Sequence, residues 1–270
     1  MGIDSVGLAQ RLLAAEAIAL EAGQLAARLW ADHSSLSVSL KGAQDFVSSA
    51  DLAVERLIAG RLAAAFPDDG ILGEEGTDIP GVNGAIWAVD PIDGTSNFIA
   101  GRPDWCTSIG LIVDNAAELG AIYQPPRDAL YSARRGNGSR RNGVPIGVAR
   151  RPWPHSTIVL EYSSRARADW HAANVLSLIG TGADYRRNGS AAVALAQLAE
   201  GTLDGFFELH LNAWDITAGL VLVAEAGGRC NDFFADDGLR KGNHVLAAAP
   251  EMFDRLVELL LRPDAASIAS

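Results

Sequence analysis

The sequence predicts an α/β protein, a compact unit in which helices and strands alternate across two lobes. Three observations carry this expectation. Apolar positions switch repeatedly between helical spacing and short runs bounded by Gly, Pro, Asn and Asp. The 270 residues are long for one small domain and short for two large ones. A break in composition at 150–156, Arg-Arg-Pro-Trp-Pro-His-Ser, separates an N-terminal unit, 1–150, from a C-terminal unit, 151–270.

Taken in order, residues 7–31 read as one long helix. Leu8, Leu12, Leu13, Leu20, Leu25 and Leu29 form its apolar stripe, and Ala fills the gaps. Residues 51–66 read as a second helix, with Leu52, Leu57, Ile58 and Leu62 inward, Asp51 at its start and Pro67 as its stop. Short strands are expected at 71–72, 86–89, 108–113, 119–123 and 130–133. The 134–147 stretch holds Gly136, Gly138, Asn142-Gly143 and Pro145, the signature of a hairpin or a pair of turns. Its arginines, Arg134, Arg135, Arg140 and Arg141, suit a solvated turn, with an anion-binding patch as the alternative. Beyond the break come a strand at 157–161, a helix at 190–200, a strand at 204–208, a helix at 215–226, a strand near 245–249 and a helix at 250–261. The last eight residues are expected to fray.

Composition narrows the function classes. Hydrophobic residues are 49% and charged residues 20%, enough apolar material for a core and against general disorder. Lys+Arg is 22 against Asp+Glu 33, a net charge of -11, which repels nucleic-acid backbones. An anionic substrate would therefore need local positive charge, and bound metal ions are the natural source. Two cysteines, Cys106 and Cys230, cannot build a disulfide framework and read as reduced thiols. Arg11, Glu16, Glu21 and Arg28 interrupt the N-terminal apolar stretch, so neither a secretory signal nor a membrane span is expected. The expected location is the cytoplasm.

The chemistry is expected at three acidic clusters that follow strands or open helices. In Trp87-Ala88-Val89-Asp90-Pro91-Ile92-Asp93-Gly94-Thr95 an apolar strand ends in a carboxylate, and Pro91 keeps Asp90 extended. Gly94 permits a close turn, and Thr95 and its successors can open a helix whose N–H groups point outward. Two carboxylates, a backbone carbonyl and a helix start thus share a small volume, hard oxygen ligands beside a phosphate cradle. The alternative is that Asp90 and Asp93 only cap a turn. Glu74-Glu75 after the 71–72 strand are adjacent acids that need solvent or a metal. Asp215, after Trp214, is either a helix cap or a third ligand group. No Ser nucleophile elbow or Cys signature is present, and Gly136-Asn137-Gly138 lacks the third glycine of a dinucleotide loop. His33, His155, His171, His210 and His244 show no paired ligand spacing.

Asp90-Pro91-Ile92-Asp93-Gly94-Thr95, with Gly73-Glu74-Glu75 and Trp214-Asp215…Ala226-Gly227-Gly228, resembles the inositol monophosphatase family of Mg²⁺-dependent, Li⁺-sensitive phosphatases. The likeness extends to Lys41…Asp45-Phe46-Val47-Ser48-Ser49-Ala50-Asp51, to Gly189-Ser190-Ala191-Ala192 and to Asp204-Gly205-Phe206-Phe207-Glu208, roughly residues 35–250 in all. It implies a layered αβαβα sandwich of the inositol monophosphatase and fructose-1,6-bisphosphatase type, usually a homodimer. It implies that Glu74, Asp90 and the Ile92 carbonyl hold one Mg²⁺, that Asp90, Asp93 and Asp215 hold a second, and that Asp51 with Glu74 lies near a third. Gly94 and Thr95 N–H groups would bind phosphate, Thr95 and Glu74 would orient the attacking water, and Asp51 would accept a proton through Thr95. Gly189, Ser190, Ala191 and Glu208 would contact the rest of the substrate, a small phosphorylated metabolite.

Where many members have His between Glu208 and Trp214 this chain has Asn212, with His210 offset by two, and Ser48 stands for a common Thr. These departures touch the alcohol half of the substrate and leave the acidic set whole. Inositol-1-phosphate is the first expected substrate. Histidinol phosphate is the alternative, with nucleotide 3′-phosphates or sugar bisphosphates behind it. A non-catalytic binding protein on the same fold is the competing class. Arg186, Arg187 and Glu161 either line the mouth or are surface charge.

Overall fold

A computed structural model describes residues 3–32, 38–42, 45–162 and 168–261, with backbone alone for 38–42 and 45–48. His33, the side chains of Lys41 and Ser48, and the last eight residues lie outside the described residues.

The chain opens with α1, Ser5–Ala31, capped by Asp4, whose carboxylate accepts the Gly7 N–H at 2.8 Å. Its fully buried residues are Ala15, Ile18, Ala19, Ala22, Gly23 and Ala26; Leu8, Leu12, Leu20, Leu25 and Leu29 of the leucine stripe pack half-buried against the same core, whereas Leu13 is 67% exposed. The reason is proximity: a Cβ at Gly23 would strike the Tyr123 ring, so only small residues fit between helix and sheet. After a backbone hairpin of β1, Val38–Gly42, and β2, Asp45–Ser48, comes α2, Ser49–Ala65. Its inward face also departs from expectation. Leu52 is exposed, while Asp51 and Glu55, one turn apart, are buried beside Val54, Ile58 and Leu62.

Eight strands form the first sheet. They are β3 (Gly70–Gly73), β4 (Asp78–Ile79), β5 (Ala85–Asp93), β6 (Cys106–Val113), β7 (Ala116–Gln124), β8 (Ala129–Arg134), β9 (Ser139–Arg141) and β10 (Val144–Ile146). Their spatial order is β10-β9-β8-β7-β6-β5-β3-β4. Between β5 and β6 lies the short helix α3, Thr95–Ile99. The arginine-rich 134–147 segment is the β9–β10 hairpin and its lead-in. There Arg141 pairs with Glu200 at 3.0 Å and Arg135 with Glu118 at 3.1 Å.

The second sheet has five strands in the order β12-β11-β13-β15-β14. They are β11 (Thr157–Leu160), β12 (Asp184–Arg186), β13 (Gly205–Leu211), β14 (Arg229–Cys230) and β15 (Asn243–Ala248). The helices of this half are α4 (Ala168–Gly180), α5 (Ala191–Ala199), α6 (Ala213–Glu225), α7 (Gly238–Lys241) and α8 (Pro250–Leu260). Of these, α4, α7, β12 and β14 were not expected from the sequence. Trp170, Asn174 and Leu178 make a narrow buried stripe, while exposed Leu176 and Ile179 blur its period.

The layers run α1 and α2, first sheet, α5 and α6, second sheet, α4 and α8. Three apolar cores fill the gaps. Strand alternation divides the first sheet cleanly: Leu119, Ala121 and Tyr123 face α1, whereas Ile122 faces the α5–α6 layer. On that second face Gly110 and Gly120 are cross-strand partners and form a seat for α6. A Cβ at Gly110 would fall 2.5 Å from Thr217 Cγ2, and one at Gly120 would run into the Ala218 backbone. The seat sets the depth of α6 and so the position of Asp215, less than a turn from Thr217. Among the described residues no helix is long and apolar enough to cross a membrane.

Gly120→Ala should therefore lift α6 from the sheet. Denaturant unfolding is expected to show a loss of about 1–3 kcal/mol, typical of an overpacked interior. A variant as stable as the parent would refute the seat.

Candidate functional site

The acidic set converges at the ends of β3 and β5, beside the first turns of α2, α5 and α6. β3 and β5 are parallel neighbours, with Gly73 opposite Val89, so Glu74 emerges beside Asp90, and its N–H donates to the Val89 carbonyl at 3.1 Å. β5 does not end at Asp90 but continues through Pro91 to Asp93. Asp90 pairs with Ser108 and Asp93 with Cys106, three steps on β5 against two on β6. This is a β-bulge. Residues three apart on a regular strand face opposite sides, and the extra residue brings Asp90 and Asp93 to the same side. Pro91, which has no N–H to pair, lies within the irregular step. A comparable irregularity follows Glu208 in β13, before Leu211.

Asp90 is the electrostatic centre. Burial pushes its carboxyl well above the usual range, and Glu74, Asp93 and Asp215 raise it further. A hydrogen bond with Glu74 adds to this, since two carboxyls can share one only when one is protonated. Asp90 Oδ1 is buried with no hydrogen-bond partner. Burial also pushes Asp93 up to about 6, against the opposing hydrogen bonds from Ser190 Oγ and the Ala192 N–H, both 2.6 Å from its Oδ2. Asp215 is not the cap of α6 but its third residue, and its Oδ2 accepts the Asn212 N–H at 2.7 Å.

The Gly94 turn completes the centre. Gly94 has φ 92°, and a Cβ there would sit 2.8 Å from the Asp104 carbonyl. Thr95 then opens α3, with its hydroxyl 3.1 Å from Asp51 Oδ1 and 3.0 Å from the Ile92 carbonyl. Glu208 is buried and raised well above its ordinary range, first by that burial and then by Glu161, Asp215 and Asp93. Gly189, Ser190 and Ala191 lead into α5 beside Asp93. Glu74, Asp90, Asp93 and Asp215 thus act on one another, Thr95 joins Asp51 to the Ile92 carbonyl, Ser190 joins Asp93, and Glu208 feels Asp93 and Asp215. Arg186 pairs at the surface with Asp184, but Glu161 is buried rather than surface charge and accepts the Asn188 and Gly189 N–H groups.

One contributor was missed. Glu55 Oε2 accepts the Glu75 N–H at 2.8 Å, and its Oε1 accepts the Thr77 N–H at 3.0 Å and the Thr77 hydroxyl at 2.7 Å. A Cβ at Gly73 would lie 2.6 Å from that carboxyl group. Glu55 thus holds the loop that presents Glu74. The signal was its i,i+4 spacing from Asp51, which puts both acids on one helix face.

Among the described residues, no three acidic, histidine or cysteine side chains already stand in metal-cage geometry. The donor chemistry still fits a hard divalent cation. The donors are oxygens, one buried carboxylate oxygen has no partner, and a cation would offset the mutual repulsion of Asp90, Glu74, Asp93 and Asp215.

A model of the inositol monophosphatase family matches residues 8–262. The chain is 36% identical over 247 residues to the inositol-1-monophosphatase of Rhizobium meliloti, covering 90% of this chain and 93% of that protein. It is 33% identical over 240 residues to Nus factor SuhB of Escherichia coli strain K12, covering 87% and 89%. Among solved structures, the extragenic suppressor protein SuhB of Bartonella henselae superposes with TM-score 0.85 at 34% identity, covering 91% of this chain and 96% of that one. SaIMPase-II, solved with inositol monophosphate bound, gives 0.76 at 25% identity, covering 97% and 95%.

Glu55→Ala should free the 73–77 loop. Leaving its buried donors unpaired is expected to cost about 1–3 kcal/mol in denaturant unfolding. Hydrogen exchange at the Glu75 and Thr77 amides should rise with it, and unchanged protection there would refute the clamp.

Proposed function

Because this chain belongs to the inositol monophosphatase family and is a phosphatase of that family, we propose that it hydrolyses a small polyol phosphate, with inositol-1-phosphate as the preferred substrate and Mg²⁺ as the cation. The observation that carries this reading is the buried, unpartnered Asp90 Oδ1 amid Glu74, Asp93 and Asp215. In this reading residues 1–150 supply the cation and phosphate groups, and residues 151–270 supply Asp215 and the contacts to the alcohol.

Glu74, Asp90 and the Ile92 carbonyl would hold one ion, and Asp90, Asp93 and Asp215 a second. Asp51 with Glu74 would lie near a third. When bound, the cations supply positive charge against the phosphate dianion, acidify water and offset charge on the leaving oxygen. The chain's own residues do the rest. Gly94 and Thr95 N–H groups receive the phosphate oxygens. Thr95, hydrogen-bonded to Asp51, takes a proton from the attacking water at Oγ1 while passing its own to Asp51 Oδ1. Glu74 orients that water from the opposite loop. Glu208, held at a high carboxyl pKa by burial, is suited to bond a substrate hydroxyl, and Gly189, Ser190 and Ala191 line the same side. No covalent enzyme intermediate is needed for in-line attack. Li⁺ inhibition and a homodimer are part of the same reading.

The relatives named Nus factor favour a second reading, a binding role on this fold beside hydrolysis. Two measurements separate these. In a panel with Mg²⁺, inositol-1-phosphate is expected to be turned over at least as fast as histidinol phosphate, nucleotide 3′-phosphates and sugar bisphosphates. Activity at least roughly tenfold better on histidinol phosphate, the size of one good discriminating contact, would move the assignment there. Asp90→Asn should abolish turnover of every ester; an unchanged rate would leave only the binding role.

Mg²⁺ at about ten times its dissociation constant should stabilise the parent by about 1.4 kcal/mol and raise Tm by roughly 2–5 °C. The Asp90→Asn chain should lose most of that rise. A melt indifferent to Mg²⁺ would contradict the cation site.

A further inference from the structure

Glu161 is a buried acid to which the proposed reaction gives no task. It follows β11 directly and is 5% exposed. Its two oxygens have different neighbours. Oε1 accepts both the Asn188 N–H, at 2.6 Å, and the Gly189 N–H, at 2.7 Å. Oε2 lies 3.5 Å from Arg187 Nε, on a side chain 55% exposed, so that ion pair is screened and weak.

The gripped turn is held from a second side. Asn97, on α3, donates from Nδ2 to the Asn188 carbonyl at 2.9 Å and to the Asp104 carbonyl at 2.7 Å. Gly189 bends through φ 74° between these anchors. The next residue, Ser190, caps α5 and donates its hydroxyl to Asp93 Oδ2, and the Ala192 N–H donates to the same oxygen. Asp93 comes from the first sheet, yet these donors come from the start of α5. Glu161 therefore holds, by hydrogen bonds to the 188–189 amides, the short backbone turn whose next residues, Ser190 and Ala192, donate to Asp93.

We propose that Glu161 is a positioning residue: by gripping the 188–189 amides it places the Ser190 and Ala192 donors that orient Asp93 for a divalent cation. The inference rests on the cation-dependent reading above. Glu161 also bears on Asp93 as a nearby like charge, but its hold on the turn is that of an acceptor of fixed position, since a single oxygen takes both N–H groups. A glutamine in the same place offers an equivalent carbonyl oxygen to both amides, whereas alanine offers none. Outer groups that orient metal-binding carboxylates typically change metal affinity by about 10–100-fold when removed.

The test is Mn²⁺ binding by isothermal titration calorimetry to the full chain, with the Mg²⁺ dependence of kcat measured alongside. Glu161→Gln is expected to bind Mn²⁺ as the parent does. Glu161→Ala is expected to bind about 10–100-fold more weakly, to need correspondingly more Mg²⁺ for half-maximal rate, and to recover its kcat at saturating Mg²⁺. If the alanine chain does not fold, Glu161→Asp, one methylene too short to reach both amides, should show the same weakening. Parent-like Mn²⁺ binding by the alanine or aspartate chain would overturn the proposal. So would a glutamine variant as weak as the alanine one, since charge would then matter and not acceptor placement. A parent chain that binds no Mn²⁺ would overturn the cation-dependent reading together with this one, whereas the other two outcomes overturn only this one.

Discussion

The structure turns on the confinement of like charges. Glu74, Asp90, Asp93 and Asp215 share one neighbourhood, and Asp51, Glu55, Glu161 and Glu208 lie buried around it. An uncompensated buried ion costs several kcal/mol, against a net stability of about 5–15 kcal/mol for a whole domain. The surrounding acids meet that cost with donors. Glu55 takes three, Glu161 takes two backbone N–H groups, Asp93 takes Ser190 and Ala192, and Asp215 takes the Asn212 N–H. Asp90 is treated differently: one of its oxygens is left without a partner at the centre of the repulsion. Such an arrangement is unfavourable for the chain alone and suited to a cation.

Close packing is what brings these acids within reach of one another. The Gly110–Gly120 pair lets α6 lie directly on the first sheet, Gly219 admits the Leu195 side chain between α5 and α6, and an alanine face brings α1 onto Tyr123. Helices seated this deeply carry their first turns to the edge where β3 and β5 end. Asp51 at the start of α2, Asp215 in the first turn of α6 and Ser190 at the cap of α5 all arrive that way. Larger residues at the seams would hold the helix starts away from Asp90 and leave the acids scattered over separate surfaces.

Much of this was legible in the chain itself. The strand-then-acid pattern at 71–75 and 87–93, the glycine after Asp93 and the helix after Gly94 follow from short-range rules of turn and strand chemistry. The inward faces of α1 and α2 were legible only in part, Leu13 and Leu52 being exposed. A leucine is apolar at any position, and only the distance to the neighbouring sheet decides whether leucine or alanine fits. Glu55 escaped, and Glu161 was left open between the mouth and surface charge, because a lone acid has the same appearance in a sequence whether it is solvated or gripping a backbone turn. Residues 168–186 escaped because α4 buries a narrow stripe while Leu176 and Ile179 stay exposed.

By itself the sequence determined most element types, the α/β class and the acidic set, because each depends on residue identity and spacing within a few turns or strands; the layered arrangement was implied by the likeness to a phosphatase family that those residues carry. The tertiary structure alone decided which acids touch. The bulge at Pro91 put Asp90 and Asp93 on one side, the glycine seat set the depth of Asp215, and α5 brought its donors to Asp93. The last two join residues about a hundred positions apart, and at that separation only the packing of sheet against helix determines distance.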